Sequence, residues 1–482
     1  MSIINKILFG AMLVTAVTGC QKVLDIKPES DLDGADRFKT IEDHQYALLG
    51  AYGRFQSTNY YGSFDGSSNA FVTLPDMMAE DLVETGESLG NAYVFSSWTY
   101  ESDEVQVENT WLAAYRIINQ INLTLRGIDT FASADPDQVA AIKGQALAIR
   151  AMVHFDVLRY WANDYDRNSL EPGVPYMTVY NYEQKPARGT VKQTYDGIEK
   201  DLLDAKDLLA GLAINDDGDR AYMDEFAVDA ILARVYLYSG QMDKAIDAAT
   251  AVIDEFPLAT RASFPGIWTD ANVDEVVWSM AFDAGQGTPA TNTYAPDVNR
   301  SQFRPSNAFM SLFDRDNDIR GQVYFDLRAN RNGTNRWVQT KYLAKSSRLK
   351  KPDGVVNFKA LRVGEMYLIR AEANVKSGTP DQAAAMDDLN TLRHARINGY
   401  TDENLTGVAL TNAIEVERRK ELFLEGHRFF DVKRKGQNNR RIDRGCTDSD
   451  CVLEPTAREW AWPIPQPEID ANPNILPQND GY

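Results

Sequence analysis

The sequence predicts a mainly α-helical protein in which helix pairs form a tetratricopeptide-like stack, with long irregular insertions and a few short strands. Apolar residues recur at spacings of three and four, which is the period of one helix face. This pattern covers eight segments of the chain: 41–55, 105–128, 139–161, 195–212, 225–238, 242–256, 361–375 and 413–435. Gly, Pro, Asn and Asp separate these segments, as turns between helices require.

One pair of segments has the spacing of a tetratricopeptide repeat. Small residues allow its two helices to approach, a glycine turns the chain, and a proline ends the second helix. The residues at these positions are Leu232, Ala233, Tyr236, Gly240, Ala245 and Pro257. A weaker second copy lies at Leu368, Ala371, Gly378 and Ala383. Because such a pair buries one face only by stacking on its neighbours, we expect about four pairs in one stack.

Two segments, 58–100 and 259–353, lack the helical pattern. They are rich in Gly, Asn, Ser, Thr and Asp and contain only short strand-like runs, at 275–280 and 337–342. Long irregular insertions on a rigid scaffold often hold binding or catalytic residues. We therefore expect the functional site in these two insertions.

The N-terminus has the features of an export signal followed by a lipidation site. Lys6 precedes an apolar run at 7–17, which is too short to span a bilayer but is typical of a secretory signal. Small residues then lead to Cys20, which we expect to be acylated, although an ordinary signal with an incidental cysteine is the alternative. The expected organisation is a signal peptide at 1–19, an N-terminal helical region at 20–258 and a C-terminal region at 259–482.

The other two cysteines, Cys446 and Cys451, lie in a polar loop. In an oxidising exterior we expect them to form a local disulfide; two free surface thiols are the alternative. A zinc site is disfavoured because no histidine lies at ligand spacing from these cysteines. The four histidines are scattered: His44, His154, His394 and His427. We expect neither a metal nor a cofactor.

The chain is acidic, with a formal net charge of −20. Such a surface favours solubility and repels nucleic acid and anionic lipid, so no nucleic-acid partner is expected. The net charge favours a neutral or basic ligand, or a protein partner.

A pair of carboxylates at Glu421 and Glu425, one helical turn apart, raises the question of acid/base catalysis. Arginines lie within three or four residues of each, and they would keep both carboxylates ionised. We interpret the segment 415–435 as a structural charge network and expect no enzyme activity. Composition alone leaves a glycosidase pair elsewhere in the chain open.

The last stretch, 462–482, is so rich in proline that it can be neither a helix nor a central strand. We expect an extended strap over other elements, because it carries apolar residues that need burial. These are Trp462, Ile464, Ile469, Ile475, Leu476 and Tyr482.

This tail resembles the C-terminal signature of the SusD/RagB family of Bacteroidetes nutrient-binding lipoproteins: Pro-Ile-Pro, an acidic-Ile pair, Asn-Pro and a final Gly-Tyr. Asp480 stands where that family often has proline. Four further segments are similar to family patterns in the expected order: Leu24-Asp25 with Pro28, 149–161, 362–373, and the run Glu-Arg-x-x-Glu-Leu-x-x-Glu-Gly-x-Arg at 417–428.

The resemblance implies a SusD-like fold and a lipoprotein of the cell outer membrane, facing the exterior. It further implies capture of an oligosaccharide and its delivery to a SusC-like TonB-dependent transporter. A secreted glycoside hydrolase, a peptide-binding member of the family and a tetratricopeptide adaptor for proteins are the alternatives.

A sugar-binding site needs flat aromatic surface with polar groups beside it. We expect the ligand to contact Tyr60, Tyr61, Trp98 and Tyr294, which lie among polar residues of the irregular segments. Trp268 and Trp337 are second choices. For Trp98 the alternative is a strand at 93–100 that buries the ring.

Overall fold

The computed structural model describes residues 38–62, 69–181, 183–216, 218–282, 292–296, 298–330, 332–343, 356–441, 443 and 451–482. Nine helices of 14 or more residues dominate this part of the chain. They are α1 (Ile41–Arg54), α2 (Val105–Leu125), α3 (Pro136–Trp161), α4 (Val191–Leu209), α5 (Glu225–Ser239), α6 (Met242–Glu255), α7 (Val363–Lys376), α8 (Gln382–Arg396) and α9 (Gly407–Glu421).

Each long helix from α1 to α6 packs on the next one along the chain, and α7 packs on both α8 and α9. Helices α6 and α7 are neighbours although residues 256–362 separate them, so the stack continues across the second insertion. The predicted repeat is the α5–α6 pair, and its turn is Gly240 with a φ of 79°. The predicted fold class is confirmed: a tetratricopeptide-like stack with irregular insertions.

The strands are short and form five antiparallel two-stranded pairs in the described residues. They are β1 (Leu82–Glu84), β2 (Val276–Met280), β3 (Tyr294–Ala295), β4 (Arg300–Ser301), β5 (Phe303–Pro305), β6 (Phe325–Ala329), β7 (Asn335–Gln339), β8 (Phe358–Arg362), β9 (Asn439–Arg440) and β10 (Val452–Leu453). The pairs are β1–β5, β2–β8, β3–β4, β6–β7 and β9–β10. None of the described helices is long and apolar enough to cross a membrane.

Short helices fill the insertions and the C-terminal part. They lie at Leu74–Met77, Tyr93–Ser96, Phe264–Ile267, Asn307–Met310, Ile319–Val323, Arg428–Arg434 and Gln466–Ala471, with 3₁₀ turns at Ile128–Phe131, Arg458–Trp460 and Pro473–Ile475. The strand considered for 93–100 is absent, because Tyr93–Ser96 is helical and Trp98 has a φ of 56°.

The single helix expected at 413–435 is wrong. Helix α9 ends at Glu421, and a turn with left-handed φ at Leu424 (58°) and Gly426 (80°) precedes the helix Arg428–Arg434. The close approach of this turn to the first insertion requires glycine, because a Cβ at residue 426 would lie 2.1 Å from the Phe71 carbonyl oxygen. The break thus lets the chain pack tightly against residues 69–78.

The proline-rich tail crosses the end of α3, as a strap would. The Trp462 amide donates to the Tyr160 carbonyl oxygen (2.8 Å), and the Trp161 indole donates to the Pro463 carbonyl oxygen (2.8 Å). The expectation that the tail contains no helix is wrong, since Gln466–Ala471 is helical with Pro467 in its first turn, where a missing N–H costs nothing.

Burial of the tail differs from the prediction at one residue. Trp462, Ile464 and Ile475 are buried, and Ile469 and Tyr482 pack against the core, whereas Leu476 is 50% exposed.

One large apolar core runs through the molecule. It contains residues from both sides of position 258, such as Phe155 and Trp278, and a smaller core lies between α7, α8 and α9. The division at 258/259 stays a prediction.

We predict that Trp462→Ala lowers the free energy of unfolding by about 3–5 kcal/mol, the usual cost of deleting a buried aromatic ring. The ring is fully buried and stacks on Tyr160 with centroids 3.9 Å apart. Urea unfolding monitored by circular dichroism measures the change. Leu476→Ala in the same tail is the control and should change it by less than about 0.5 kcal/mol, because that side chain is half exposed. Equal effects of the two substitutions would contradict the role of the strap.

Candidate functional site

A buried network of arginines and carboxylates lies below the second insertion. Arg362 at the end of β8 donates to Glu275 (2.5 Å), Glu421 (3.0 Å) and Glu425 (2.6 Å). Arg396 of α8 bonds the same Glu275 (2.7 Å) and Glu421 (3.0 Å). These side chains are almost fully buried, so their charges are neutralised by one another and not by water.

The electrostatics of this network oppose acid/base catalysis. Burial alone would raise the pKa of Glu421, but the guanidinium groups of Arg396, Arg362 and Arg320 bring that pKa well below its usual value. A carboxylate held ionised in this way cannot serve as a general acid near neutral pH. The network is therefore structural, as the sequence indicated.

Metal ligation receives no support from the described residues, where no group of three or more His, Cys, Asp or Glu side chains could hold an ion. Asp318, the last member of the Asp-rich turn 314–318, is instead ion-paired with Arg320 (2.9 Å) and Lys420 (2.7 Å).

The two insertions meet at one surface of the molecule. Strand β1 of the first pairs with β5 of the second. Beyond β1, the Glu87 carboxylate accepts the Ser301 amide (2.9 Å), and the Leu89 amide donates to the Gln302 side-chain oxygen (3.1 Å). Residues that are distant in sequence thus form one continuous surface.

The β6–β7 hairpin is fixed to the same place. Arg336 of β7 donates to Glu87 (3.0 Å) and to the Asn299 carbonyl oxygen (3.1 Å). The Asn299 side chain donates in turn to the Ala329 carbonyl oxygen (2.7 Å) at the end of β6. The hairpin is held by both insertions.

Several apolar side chains on these segments face solvent. Leu89, Tyr93, Val298 and Leu327 are 54%, 54%, 41% and 47% exposed. Leu327 lies directly opposite Trp337 in the hairpin register. Seven of the eight tryptophans are buried, and Trp337 is the partly exposed one. We call the part of the two insertions that carries Leu89, Tyr93, Val298, Leu327 and Trp337 the loop surface. Within the hairpin, Leu327 and Trp337 lie on the face opposite to Arg328 and Arg336.

The four residues expected to contact ligand are not on the loop surface. Tyr60 is fully buried and its hydroxyl donates to Asp156 (2.5 Å). Tyr61 is 4% exposed and stacks on Phe55 with centroids 5.4 Å apart. A ligand contact requires exposed rings, but both of these rings are buried. The irregular segment packs them into the core beside the helical stack.

Trp98 and Tyr294 are buried as well. The Trp98 indole donates to the Met78 carbonyl oxygen (2.9 Å), and the Arg441 guanidinium lies 3.9 Å from its ring centroid. The Tyr294 hydroxyl accepts from Arg328 (3.2 Å), which places the ring beneath the hairpin. Each ring already packs against protein, and the structure brings only Tyr60 and Tyr61 together. That these four residues contact the ligand stays a prediction, and none of their rings faces solvent.

The two second choices differ from each other. Trp268 is buried beneath the ammonium group of Lys341, which lies 4.1 Å from its ring centroid. Trp337 lies on the loop surface. Sequence reasoning missed Tyr93 and Leu89, although the turn glycines Gly86 and Gly90 beside them indicate a chain reversal at the surface.

The structure describes one of the three cysteines, Cys451. Cys20 and Cys446 are outside the described residues. Cys451 is disulfide-bonded, and its pairing with Cys446 stays a prediction.

A groove of about 340 Å³ lies between α7, α9 and the helix Arg428–Arg434. Its central carboxylate, Glu372, is paired with Arg434 (2.5 Å) and Lys376 (2.7 Å). The charges of this groove satisfy one another, so the loop surface is the stronger candidate for ligand binding.

Comparisons with known proteins match the whole chain. A family model described as the SusD family matches residues 316–482, and a second, described as starch-binding associating with outer membrane, matches residues 24–237. SusD-like protein P2 of Formosa agariphila is 25% identical, with 99% of each chain covered.

Solved structures agree with these matches. A SusD superfamily protein from Bacteroides thetaiotaomicron is 26% identical and superposes with a TM-score of 0.80, covering 91% of this chain and 99% of that one. A SusD-like carbohydrate binding protein from Bacteroides vulgatus is 22% identical and shares the fold, with a TM-score of 0.77 over 91% and 98% of the two chains.

We predict that stability falls as pH is lowered from about 4.5 to 2. Burial would raise the pKa of Asp318 and of Asp431, but Arg320 beside the first and Arg418 beside the second lower both pKa values to about 2. The unfolded chain therefore takes up protons first as pH falls. Across this window the free energy of unfolding decreases by about 2 kcal/mol for each of the two carboxylates. Urea unfolding at a series of pH values measures the slope.

Asp431→Asn should reduce that slope, whereas Asp316→Asn, an exposed carboxylate of the same charge, should leave it unchanged. A free energy of unfolding that stays constant between pH 5 and 2 would contradict the charge assignment of the network.

Proposed function

Because the chain belongs to the SusD family, we propose that it is a non-enzymatic lipoprotein that captures an oligosaccharide outside the cell and delivers it to a SusC-like TonB-dependent transporter. The observation that carries this proposal is the match along the whole chain: two family models at its two ends and a relative aligned over 99% of both sequences. One of those models is described as starch-binding and associating with the outer membrane. A carbohydrate ligand and an outer-membrane location are the most direct extensions of that description to this chain.

We place the ligand on the loop surface. A sugar ring has an apolar face and a polar rim, so its receptor combines exposed apolar or aromatic side chains with hydrogen-bonding groups. Tyr93 and Leu327 are about half exposed and Trp337 is partly exposed, and the exposed guanidinium of Arg315 lies against the Trp337 ring. The backbone beneath is held by β1–β5 pairing and by the Arg336 hydrogen bonds, so little ordering is required on binding.

A catalytic role receives less support from the geometry. The acid pair that the sequence offered, Glu421 and Glu425, is buried among arginines, and Arg362 bonds both members. Binding without hydrolysis is therefore the function that the described residues favour.

We also propose that acylated Cys20 tethers the protein and that the transporter accepts ligand from it at the membrane. Three acyl chains on one cysteine provide more than the two anchoring signals that stable attachment needs.

Tyr93→Ala and Trp337→Ala should each weaken glycan binding by about 1 kcal/mol or more, a loss of fivefold or greater, because a sugar would lose aromatic contact area. Titration calorimetry with a panel of polysaccharides measures the affinity, and thermal unfolding confirms that each variant folds. Tyr46→Ala is the matched control, since Tyr46 is also an exposed tyrosine (69%) but lies on α1. Loss of binding in Tyr46→Ala alone would move the site to the groove that this residue lines with Gln120.

Cys20→Ser should abolish membrane attachment, because serine cannot form the thioether that carries the lipid. Fractionation of cells and mass spectrometry of the N-terminus compare the variant with the unchanged protein. Cys451→Ser, which leaves the proposed lipidation site intact, should remain in the outer-membrane fraction. A Cys20→Ser protein that still fractionates with the outer membrane would contradict the anchor.

A further inference from the structure

Positive charge is concentrated in one stretch of the sequence, which includes the β6–β7 hairpin. Residues 300–351 contain twelve Lys and Arg against four Asp and no Glu, a formal charge of +8, whereas the whole chain carries −20. Seven of these cations belong to described residues. Arg320 and Lys341 are buried and paired with Glu421 and Glu425, which leaves Arg300, Arg304, Arg315, Arg328 and Arg336 nearer the surface. A cationic segment on an otherwise acidic protein attracts anions to one place and repels them from the rest.

One of these arginines is displayed for contact with a ligand. Arg315 is exposed, and its guanidinium carbon lies 4.1 Å from the centroid of the Trp337 ring, where cation–π attraction orients it. The neighbouring Asp314 directs its carboxylate to the Asn317 amide (2.8 Å). Among the described residues, no carboxylate pairs with Arg315. A guanidinium whose N–H groups have no acceptor among the described residues is a bidentate receptor for a carboxylate or a sulfate.

The β6–β7 hairpin adds like charges that folding alone does not favour. Arg328 and Arg336 lie directly opposite each other in its register, and opposed like charges destabilise a strand pair. Asp326 accepts from Arg328, and Glu87 accepts from Arg336. The Nε and Nη1 groups of Arg336 nevertheless find no acceptor in the described part of the chain. This pair lies on the hairpin face that packs against the insertions, where Asp326 and Glu87 meet its charges, so the cation beside Trp337 on the opposite face is Arg315.

We propose that the polysaccharide bound at the loop surface is anionic, and that Arg315 binds its carboxylate or sulfate groups beside Trp337. This inference rests on the proposed function and specifies its substrate class. It differs from the neutral or basic ligand that the net charge favours. Net charge averages over the whole molecule, whereas a ligand meets only the potential of the surface that binds it.

Binding of matched polymers tests the proposal. Titration calorimetry compares polygalacturonate with its methyl ester, and dextran sulfate with dextran, so that each pair differs in charge on a common backbone. We expect binding to one anionic member and at least tenfold weaker binding to its neutral partner. Binding of polygalacturonate alone identifies a carboxylate ligand, and binding of dextran sulfate alone identifies a sulfate ligand. The affinity should fall as salt rises from 50 to 500 mM, because screening weakens exposed charge pairs.

Arg315→Gln should lower the affinity for the anionic polymer about tenfold or more, since one charge-assisted bidentate contact is lost. Arg126→Gln is the control, because Arg126 is also exposed and lies at the end of α2, away from the insertions. Arg315→Lys, which keeps the charge but loses the planar fork, should give an intermediate affinity. Thermal midpoints of all three variants should match that of the unchanged protein.

The outcomes separate this inference from the proposed function. Equal affinity for the charged and neutral member of each pair, reduced by Tyr93→Ala or Trp337→Ala, would overturn the anionic ligand and leave sugar binding intact. Full affinity of Arg315→Gln for the anionic polymer would overturn the role of that residue. Binding of none of the four polymers, with binding of a neutral glycan from the panel, would overturn the anionic ligand and leave the proposed function intact. Binding of no glycan at all would contradict both.

Discussion

The buried pairing of arginines with carboxylates is the interaction on which the rest of this structure depends. Arg362 alone joins β8 to β2 through Glu275 and to α9 and its following turn through Glu421 and Glu425. Leaving one such charge without its partner typically costs 3–5 kcal/mol, because the remaining charge cannot return to water. The network therefore permits one arrangement of these elements and strongly disfavours others.

That constraint explains how irregular chain can form a defined surface. Short strands and turns have few backbone hydrogen bonds of their own, and two-stranded ribbons are only marginally stable alone. Here the second insertion is tied at its base by Arg320 and Lys341, which reach Glu421 and Glu425. The β6–β7 hairpin between these two residues is consequently held at both ends, and its outer face is free to carry side chains chosen for a ligand.

Much of the fold follows from local sequence patterns, and the helical stack is the clearest case. Period-three-and-four spacing identifies the long helices because each buries one face, and Gly240 marks the predicted repeat turn. The spacing of apolar residues did not predict the break between α9 and the helix Arg428–Arg434. Gly426 sits within an uninterrupted amphipathic pattern, and only its approach to the Phe71 carbonyl reveals why the helix must stop.

The candidate site was far less predictable than the scaffold. Whether an aromatic ring in an insertion is buried depends on partners distant in sequence, such as Asp156 for Tyr60 and Met78 for Trp98. The local sequence does not reveal those partners, so polar neighbouring residues do not predict whether a ring is exposed. The ionised state of Glu421 and Glu425 could be anticipated from the arginines near them in sequence. Their actual partners, Arg362 and Arg396, and the carboxylate of Glu275 lie on other elements and could not be anticipated.

The C-terminal strap makes residues 462–482 a structural part of the first half of the molecule. Trp462 fills the space among Phe95, Tyr160 and Trp161. A chain that stops short of it would display an aromatic cavity at the end of α3. Chains truncated before Trp462 would therefore expose apolar surface to proteases and to other chains, so escape from proteolysis and aggregation depends on the strap being in place.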